Sequence, residues 1–308
     1  MPREFDYRID GRCVLCGKTR EAVKKLILGV HGGVCLDCVE LCNDILRNDA
    51  KASTESRKEA PAAEPVQVPS PPEPVSADAW DRETFIGKLR AVGESRYHSL
   101  HPFHKHMNEG KLTPEQVRGW IANRFYYQRN IPIKDAAIIS NCPIREVRRL
   151  WLHRISDHDG LREGEGGIET WLRLAEAAHM SREELLDDRH VLPGVRFAVD
   201  AYVNFARTRP WPIAVASSLT ELFAPDLMRE RLAAFEKYYA WVQPKGLEYF
   251  RSRLTQARVD SDQGLELTMT YCNTRPLQEE AVRALSFKCD LLWAMLDAMM
   301  LAYGEKAG

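Results

Sequence analysis

The chain has 308 residues, of which 44% are hydrophobic, so it is long enough for two domains and can form a full-sized core. Its net charge of −1 excludes the overall basic field on which bulk nucleic-acid binding depends. The charged start of the chain lacks the apolar region of a secretory signal, and no apolar run is typical of a membrane span. Eight cysteines in such a chain favour reduced thiols or metal ligands over disulfides, and we expect a cytoplasmic protein.

The first predicted domain, residues 1–49, contains two Cys-x-x-Cys pairs separated by 18 residues. Each pair lets a tight turn direct two thiolates at one ion, and this spacing is typical of a tetrahedral zinc site. A closed four-thiolate site is structural, and in so short a segment zinc supplies much of the folding energy. A redox dithiol is the alternative. The predicted zinc ligands are Cys13, Cys16, Cys35 and Cys38.

The residues around these cysteines resemble the N-terminal zinc-binding domain of the ClpX unfoldases. The similar stretches are residues 13–18, 23–27 and 34–46. The resemblance implies a module for dimerisation, or for docking an adaptor protein or a partner from the same pathway. No Walker A motif follows in this chain, so no ATPase domain is expected.

Residues 50–78 are rich in Pro, Ala, Glu and Ser and contain no aromatic residue, which predicts a disordered, flexible linker. Residues 79–308 have the composition of a globular domain, with apolar positions at helical spacing almost throughout. Capping residues at Thr113 and Ser181 predict helix starts, and long helices are expected over about 245–272 and 276–303. The sequence therefore predicts an all-α bundle.

One predicted helix is aromatic and apolar enough to be buried, yet it contains Arg124 and Gln128 one turn apart, with Lys134 after them. Burying a cation costs free energy unless an anion pairs with it. Two interpretations follow: the cations pair with carboxylates inside the fold, or they bind an acidic ligand.

Several other predicted helices carry polar groups on apolar faces. They are Arg154 with His158, Tyr249 with Arg253, Glu221 beside Thr220, and Lys288. Each pair alone is more typical of a solvated face or a local ion pair, but in a bundle such groups can converge on one pocket. The excess of Arg, Lys, Tyr and His over carboxylates suits a small polyanionic ligand. A cluster of four histidines at residues 98–106 suggests a metal only weakly, because Pro102 interrupts the helix and no acidic partner follows at regular spacing.

The second domain closely resembles the PqqC family of pyrroloquinoline-quinone synthases from about residue 85 to residue 303. The most specific stretches are residues 120–128, 131–138, 157–160, 189–202, 217–225 and 249–253. The resemblance implies a heme-oxygenase-like seven-helix bundle, usually a homodimer. It implies that molecular oxygen drives ring closure and oxidation of a bicyclic precursor to pyrroloquinoline quinone, with release of hydrogen peroxide. No metal or organic cofactor takes part in catalysis in this family.

The resemblance also implies roles for individual residues. His158 matches a general base, a task suited to imidazole because its ordinary pKa is near neutral. Tyr249 and Arg253 match the site of dioxygen and peroxide, where a fixed cation stabilises reduced oxygen. The positions that match precursor binding are Tyr97, His98, Arg124, Gln128, Lys134, Arg154, Tyr202, Thr220, Glu221, Arg231 and Lys288.

One ligand-facing position departs from the family pattern, because Met228 stands where the family has a histidine. Methionine fills the space but provides neither a proton nor a strong hydrogen bond. Two alternatives therefore stay open beside quinone synthesis. The chain could act on a different electron-rich substrate, or it could be a non-catalytic scaffold that binds the quinone or its precursor and is recruited through the zinc domain.

Overall fold

The structure is a computed structural model, and the residues that it describes are 12–13, 15–16, 18–29, 32–41 and 76–304, without the side chains of 28–29, 32 and 255–260. The chain divides into two compact units, Met1–Val66 and Gln67–Gly308. Most of the predicted linker, residues 50–75, lies outside the described residues, so its disorder stays a prediction. Among the described residues, no helix has the length and apolar character needed to cross a membrane.

The small unit contains a two-stranded sheet followed by a helix. Strand β1 (Leu26–Gly29) pairs antiparallel with β2 (Gly32–Cys35), and Leu26 lies opposite Cys35. Residues 36–41 form helix α1 directly after β2. The second cysteine pair therefore spans the strand–helix junction, with Cys35 at the end of β2 and Cys38 in the first turn of α1.

The larger unit is all-α in its described residues, which confirms the predicted fold class. Its helices are α2 (Arg82–Arg96), α3 (Pro102–Asn108), α4 (Pro114–Asn141), α5 (Arg145–Asp159), α6 (Gly166–Ala177), α7 (Arg182–Leu186), α8 (Pro193–Thr208), α9 (Trp211–Ala216), α10 (Ala224–Tyr238), α11 (Glu248–Tyr271) and α12 (Arg275–Tyr303). Short 3₁₀ segments lie at His98–Leu100, Ser217–Leu222 and Pro244–Leu247.

Both helix starts that the capping residues predict are present. The Oγ1 atom of Thr113 accepts a hydrogen bond from the N–H of Gln116 at 3.3 Å, and Gln116 Oε1 accepts one from the N–H of Thr113 at 2.8 Å. Ser181 and Glu184 form the same reciprocal pair at α7. Each box satisfies two N–H groups that have no partner inside the helix, which fixes where α4 and α7 begin.

Helix α4 continues through Pro132. Proline has no N–H, so the carbonyl of Gln128, four residues earlier, lacks the helical donor it would otherwise receive. The side chain of Gln128 is also buried, and its Oε1 atom has no hydrogen-bond partner among the described residues. A buried side-chain acceptor without a partner, beside a carbonyl that has lost its helical donor, marks this turn as a place for a polar ligand.

Aromatic rings from four helices meet at the centre of the core. The ring centroid of Trp120 in α4 lies 5.4 Å from that of Trp171 in α6, 6.1 Å from Phe235 in α10 and 6.4 Å from Phe250 in α11. Aromatic pairs of this kind contribute about 0.5–1.5 kcal/mol each beyond the area that they bury. The cluster fixes the relative positions of helices that also carry polar groups of the site.

Candidate active site

A cavity with a volume of about 60 Å³ lies inside the helical unit. The residues that line it come from α4, α5, α8, α10, α11 and α12. Others come from the 3₁₀ segment His98–Leu100 with the preceding Tyr97, and from the 3₁₀ segment Ser217–Leu222. Twelve of the fifteen predicted catalytic and binding residues lie on its wall: Tyr97, His98, Arg124, Gln128, Lys134, His158, Tyr202, Thr220, Glu221, Met228, Tyr249 and Arg253. The structure therefore brings together groups that are up to 156 positions apart in the chain.

The other three predicted residues, Arg154, Arg231 and Lys288, do not line this cavity but contact residues that do. The guanidinium of Arg154 forms an ion pair with Glu221. An NH1 atom of Arg231 lies 3.9 Å from the sulfur of Met228. The Nζ atom of Lys288 lies 3.4 Å from the ring centroid of Tyr202. Each of them therefore lies directly behind a residue of the cavity wall.

Sequence reasoning missed two polar residues of the cavity wall, Tyr127 and Ser218. The hydroxyl of Tyr127 accepts a hydrogen bond from Lys288 at 2.7 Å, and Ser218 Oγ accepts one from Lys134 at 3.0 Å. Tyr127 lies inside the aromatic run of α4, where a tyrosine is most simply interpreted as core. No signal in the sequence marks either residue, because the lysine that bonds to each of them lies 161 or 84 positions away in the chain.

The cations around the cavity outnumber its carboxylates. Asp135 receives hydrogen bonds from Lys134 at 2.5 Å and from Trp151 Nε1 at 2.7 Å, and Glu221 pairs with Arg154. No carboxylate of the described residues lies within ion-pair distance of Arg124, Arg231 or Lys288. The guanidinium of Arg124 instead lies 4.0 Å from the ring centroid of Tyr127.

This imbalance changes the acidity of the buried cations. Burial, and then repulsion from Arg124 and Lys134, lowers the pKa of Lys288 well below its ordinary value. Burial, and then repulsion from Arg124, lowers the pKa of Arg231 to about 9. Each shift records a charged form that lacks compensation, and a bound anion would supply it.

The phenols and one imidazole of the wall stay neutral. Burial is the largest cause of a raised pKa at Tyr97, Tyr127 and Tyr202, so all three keep their protons at neutral pH. Burial, and then the neighbouring His104, lowers the pKa of His98 well below its ordinary value. The wall therefore offers cations and neutral hydrogen-bond donors, an arrangement that suits carboxylates and quinone oxygens.

His158, Tyr249 and Arg253 are among the residues that line the cavity. Helix α5 ends one residue after His158, and Gly160 (φ +79°) adopts a left-handed conformation that glycine tolerates best. Helix α6 then begins so close that a Cβ atom on Gly167 would lie 3.2 Å from His158 Nδ1 and 3.6 Å from Tyr249 Cε2. The tight connection between α5 and α6 thus packs the His158 imidazole against α6 and α11.

The histidines outside the cavity serve local contacts. His104 Nε2 lies 2.6 Å from an NH2 atom of Arg231, and His101 Nε2 lies 3.0 Å from Asp297. The rings of His98 and His104 are 4.9 Å apart, centroid to centroid. Among the described residues, the four cysteines form the only group of three or more potential metal ligands.

The ligand atoms of Cys13, Cys16, Cys35 and Cys38 lie within 4.8 Å of one another. The sulfurs of Cys16 and Cys35 are 3.7 Å apart. Four sulfurs in a tetrahedron around one zinc ion lie about 3.8 Å apart, given a Zn–S bond of about 2.3 Å. The backbone N–H of Cys35 also donates to the sulfur of Cys13 at 3.3 Å, which stabilises a thiolate. These residues fit a structural zinc ion.

Comparison with known proteins identifies both units. Residues 86–298 match the TENA/THI-4/PQQC family, more than half of the chain. The chain belongs to the TENA/THI-4/PQQC family. Residues 11–48 match the ClpX C4-type zinc finger, the second family that the sequence resembles. The TENA/THI-4/PQQC domain thus contains every cavity residue described above.

Close relatives of the TENA/THI-4/PQQC domain are named pyrroloquinoline-quinone synthase. The protein from Pseudomonas aeruginosa strain LESB58 is 56% identical over 229 residues, which cover 74% of this chain and 91% of that protein. The protein from Cronobacter sakazakii is 57% identical over 72% of this chain and 88% of its own length. The protein from Ectopseudomonas mendocina is 58% identical over 74% and 91%.

Solved structures share the fold of this family at low identity. A TenA homolog from Pseudomonas syringae superposes with a TM-score of 0.57 at 15% identity, over 71% of this chain and 92% of that one. A domain from Shewanella denitrificans with a heme oxygenase-like fold superposes with a TM-score of 0.62 at 14% identity, over 73% and 94%. The predicted heme-oxygenase-like architecture is confirmed.

Proposed function

We propose that this protein is a cofactor-independent oxidase that converts a bicyclic, amino-acid-derived precursor to pyrroloquinoline quinone. Molecular oxygen accepts electrons and protons from the precursor and leaves as hydrogen peroxide. Relatives with 56–58% identity that carry the name of this synthase support the proposal. The finer steps, oxygen as the acceptor and peroxide as the product, rest on the resemblance and on the chemistry of the cavity.

The observation that supports this function most strongly is the excess of buried cations. Arg231 and Lys288 are buried and Arg124 is half-buried, and none of the three has a carboxylate partner among the described residues. Burying an unpaired charge costs several kcal/mol. A ligand with several carboxylates would offset that cost, because each carboxylate can accept charge-assisted hydrogen bonds. Neutral tyrosines beside them can donate to quinone oxygens.

His158, Tyr249 and Arg253 form the proposed catalytic group. His158 would accept protons from ring carbons of the precursor as the ring system is oxidised. Arg253 would stabilise negative charge on reduced oxygen, and the Tyr249 hydroxyl would hold the same oxygen by a hydrogen bond. The wall residues Gln128 and Lys134 would fix the precursor in the orientation that this transfer needs.

The zinc domain has a separate proposed role. We assign residues 1–49 to dimerisation or to docking a protein partner, and residues 79–308 to catalysis, with the flexible linker 50–78 between them. The proposed assembly is a cytoplasmic homodimer without nucleic-acid or membrane partners. Exposed apolar side chains of the small unit, Leu15, Ile27 and Leu41, are available for such a contact.

Incubation of the purified protein with the precursor in air tests the oxidase function. We expect the absorption spectrum of the quinone to develop and peroxide to accumulate with it. Tight binding without turnover would refute catalysis and favour the scaffold alternative, which Met228 motivates. A Met228→His variant then provides the comparison: turnover in the variant alone would assign the loss to that position.

Substitution of Gly167 should slow turnover without unfolding the protein. An alanine Cβ 3.2 Å from His158 Nδ1 must displace the imidazole by a few tenths of an ångström, so Gly167→Ala should lower kcat by about tenfold or more. Gly87→Ala is the matched control, because nothing lies within 4 Å of its Cβ, and it should raise stability by up to about 1 kcal/mol. Equal kcat values for both variants and the native protein would contradict the packing argument.

Binding of the quinone should take up protons. The pKa of Lys288 is lowered in the free protein, so carboxylates bound nearby raise it, and affinity falls as pH rises between the lowered value and the ordinary one. For one coupled group, the affinity for the quinone should fall by nearly tenfold per pH unit, since one pKa unit is about 1.4 kcal/mol.

Calorimetric titration of pyrroloquinoline quinone in buffers with different ionisation enthalpies measures this uptake. Lys288→Met should abolish it, whereas Lys105→Met, at an exposed position of α3, should retain it. Proton uptake that persists in Lys288→Met would assign the coupling to another group.

A further inference from the structure

Met228 brings an oxidisable sulfur into the proposed oxidase cavity. Its side chain is 5% exposed and lines the same cavity as Tyr249 and Arg253. Peroxide that forms at those residues therefore forms in a cavity whose wall includes the Met228 thioether. A thioether is oxidised readily by peroxide, and limited exposure to bulk water does not protect it from a source inside the cavity.

The neighbour of this sulfur favours its oxidation. An NH1 atom of Arg231 lies 3.9 Å from the Met228 sulfur, where a thioether is only a weak acceptor. The Nε atom of Arg231 is buried and has no hydrogen-bond partner among the described residues. A guanidinium with donor capacity to spare stabilises both a departing peroxide oxygen and the oxygen that remains on sulfur.

We propose that Met228 is a site of self-oxidation, at which peroxide from the cavity converts the thioether to a sulfoxide held by Arg231. This inference rests on the proposed function only for the source of the peroxide. The sulfur lone pair attacks one peroxide oxygen and the O–O bond breaks. The second oxygen leaves with both hydrogens as water, so sulfur loses two electrons and the peroxide gains them.

The sulfoxide alters the cavity in a defined way. Its S=O oxygen is a strong acceptor and engages Arg231, which the resemblance assigns to precursor binding. The wall thus exchanges an apolar surface for a polar one and loses a donor for the precursor. We expect the KM for the precursor to rise several-fold on oxidation, and methionine sulfoxide reductases to restore it.

Met180 provides the internal comparison, because it is 7% exposed and lies on a surface groove outside the cavity. In a first arm, hydrogen peroxide is added to the full-length protein without precursor, and peptide mass spectrometry follows the gain of 16 Da over time. Met228 should be oxidised several-fold faster than Met180. Equal rates, or a faster rate at Met180, overturn the proposal whether or not the protein makes quinone.

In a second arm, the protein turns over precursor in air with catalase present to remove peroxide from solution. Met228 should gain 16 Da while Met180 stays unmodified, and an unmodified Met228 after many turnovers overturns the proposed peroxide source. Absence of quinone in this arm refutes the proposed function, and the first arm still decides the reactivity of the site. Met228→Leu, pre-treated with peroxide, should keep its KM whereas that of the native protein rises.

Discussion

Replacement of His158 by asparagine should lower kcat for quinone formation by about 10²–10⁴-fold, the usual contribution of a positioned general base. Asparagine approximates the shape of the ring but cannot accept a proton near neutral pH. Binding of pyrroloquinoline quinone should change little, because Arg124, Arg231 and Lys288, the cations without a carboxylate partner among the described residues, lie on other helices. Single-turnover absorbance measurements under air give the rate, and equilibrium titration gives the affinity.

His106→Asn is the matched control, since this histidine is exposed on α3 and outside the cavity. It should leave both rate and affinity unchanged. A His158→Asn protein that retains the native rate would remove the imidazole from the mechanism and leave Tyr249 or Arg253 as the remaining candidates. A parallel loss of affinity would instead mean that the imidazole mainly positions the precursor.

Local patterns in the sequence predicted the helices and part of the site. The capping boxes at Thr113 and Ser181 depend on residues three apart, so the chain alone reveals them. The one-turn spacing of Arg124 and Gln128 likewise puts both on one face of α4, and the structure puts both on the cavity wall. The spacing alone could not decide whether the cations of α4 pair with carboxylates inside the fold or bind an acidic ligand.

Contacts between distant helices lie beyond such patterns. Arg154 pairs with Glu221, 67 positions away, and Lys288 bonds to Tyr127, 161 positions away. These pairings decide which cations are compensated and which await an anion. The resemblance to the PqqC family predicts Arg154 and Lys288 as binding residues, and the structure adds that they contact Glu221 and Tyr127, which line the cavity.

The zinc site, in contrast to these distant contacts, could be predicted from the sequence because its geometry is local. Two Cys-x-x-Cys turns and one hairpin suffice to bring the four sulfurs together. In the described part of the small unit, Cys13, Gly33 and Cys35 are the buried residues. With so little apolar core, metal binding and folding should be one event, with an apparent zinc-binding free energy of about 10–16 kcal/mol for sites of this kind.

Replacement of Cys35 by serine should therefore remove zinc and unfold the small unit together. Cys35 is fully buried, pairs opposite Leu26 at the end of the sheet and lies 3.7 Å from the sulfur of Cys16. We expect zinc to fall from about one ion per chain to nearly none, measured by plasma mass spectrometry on reduced, desalted protein. Amide exchange over β1 should rise to the rate of an unfolded chain, whereas the helical unit should keep its melting temperature.

Cys142→Ala is the control for a lost thiol, because this cysteine is buried in the helical unit, in a cluster with Ile138 and Trp151. It should lower the stability of that unit and leave zinc at one per chain. A Cys35→Ser chain that retains a full equivalent of zinc would contradict the four-thiolate assignment. Native protein that binds no zinc and still shows slow exchange over β1 would mean that the hairpin folds on its own packing, against the expectation from its small core.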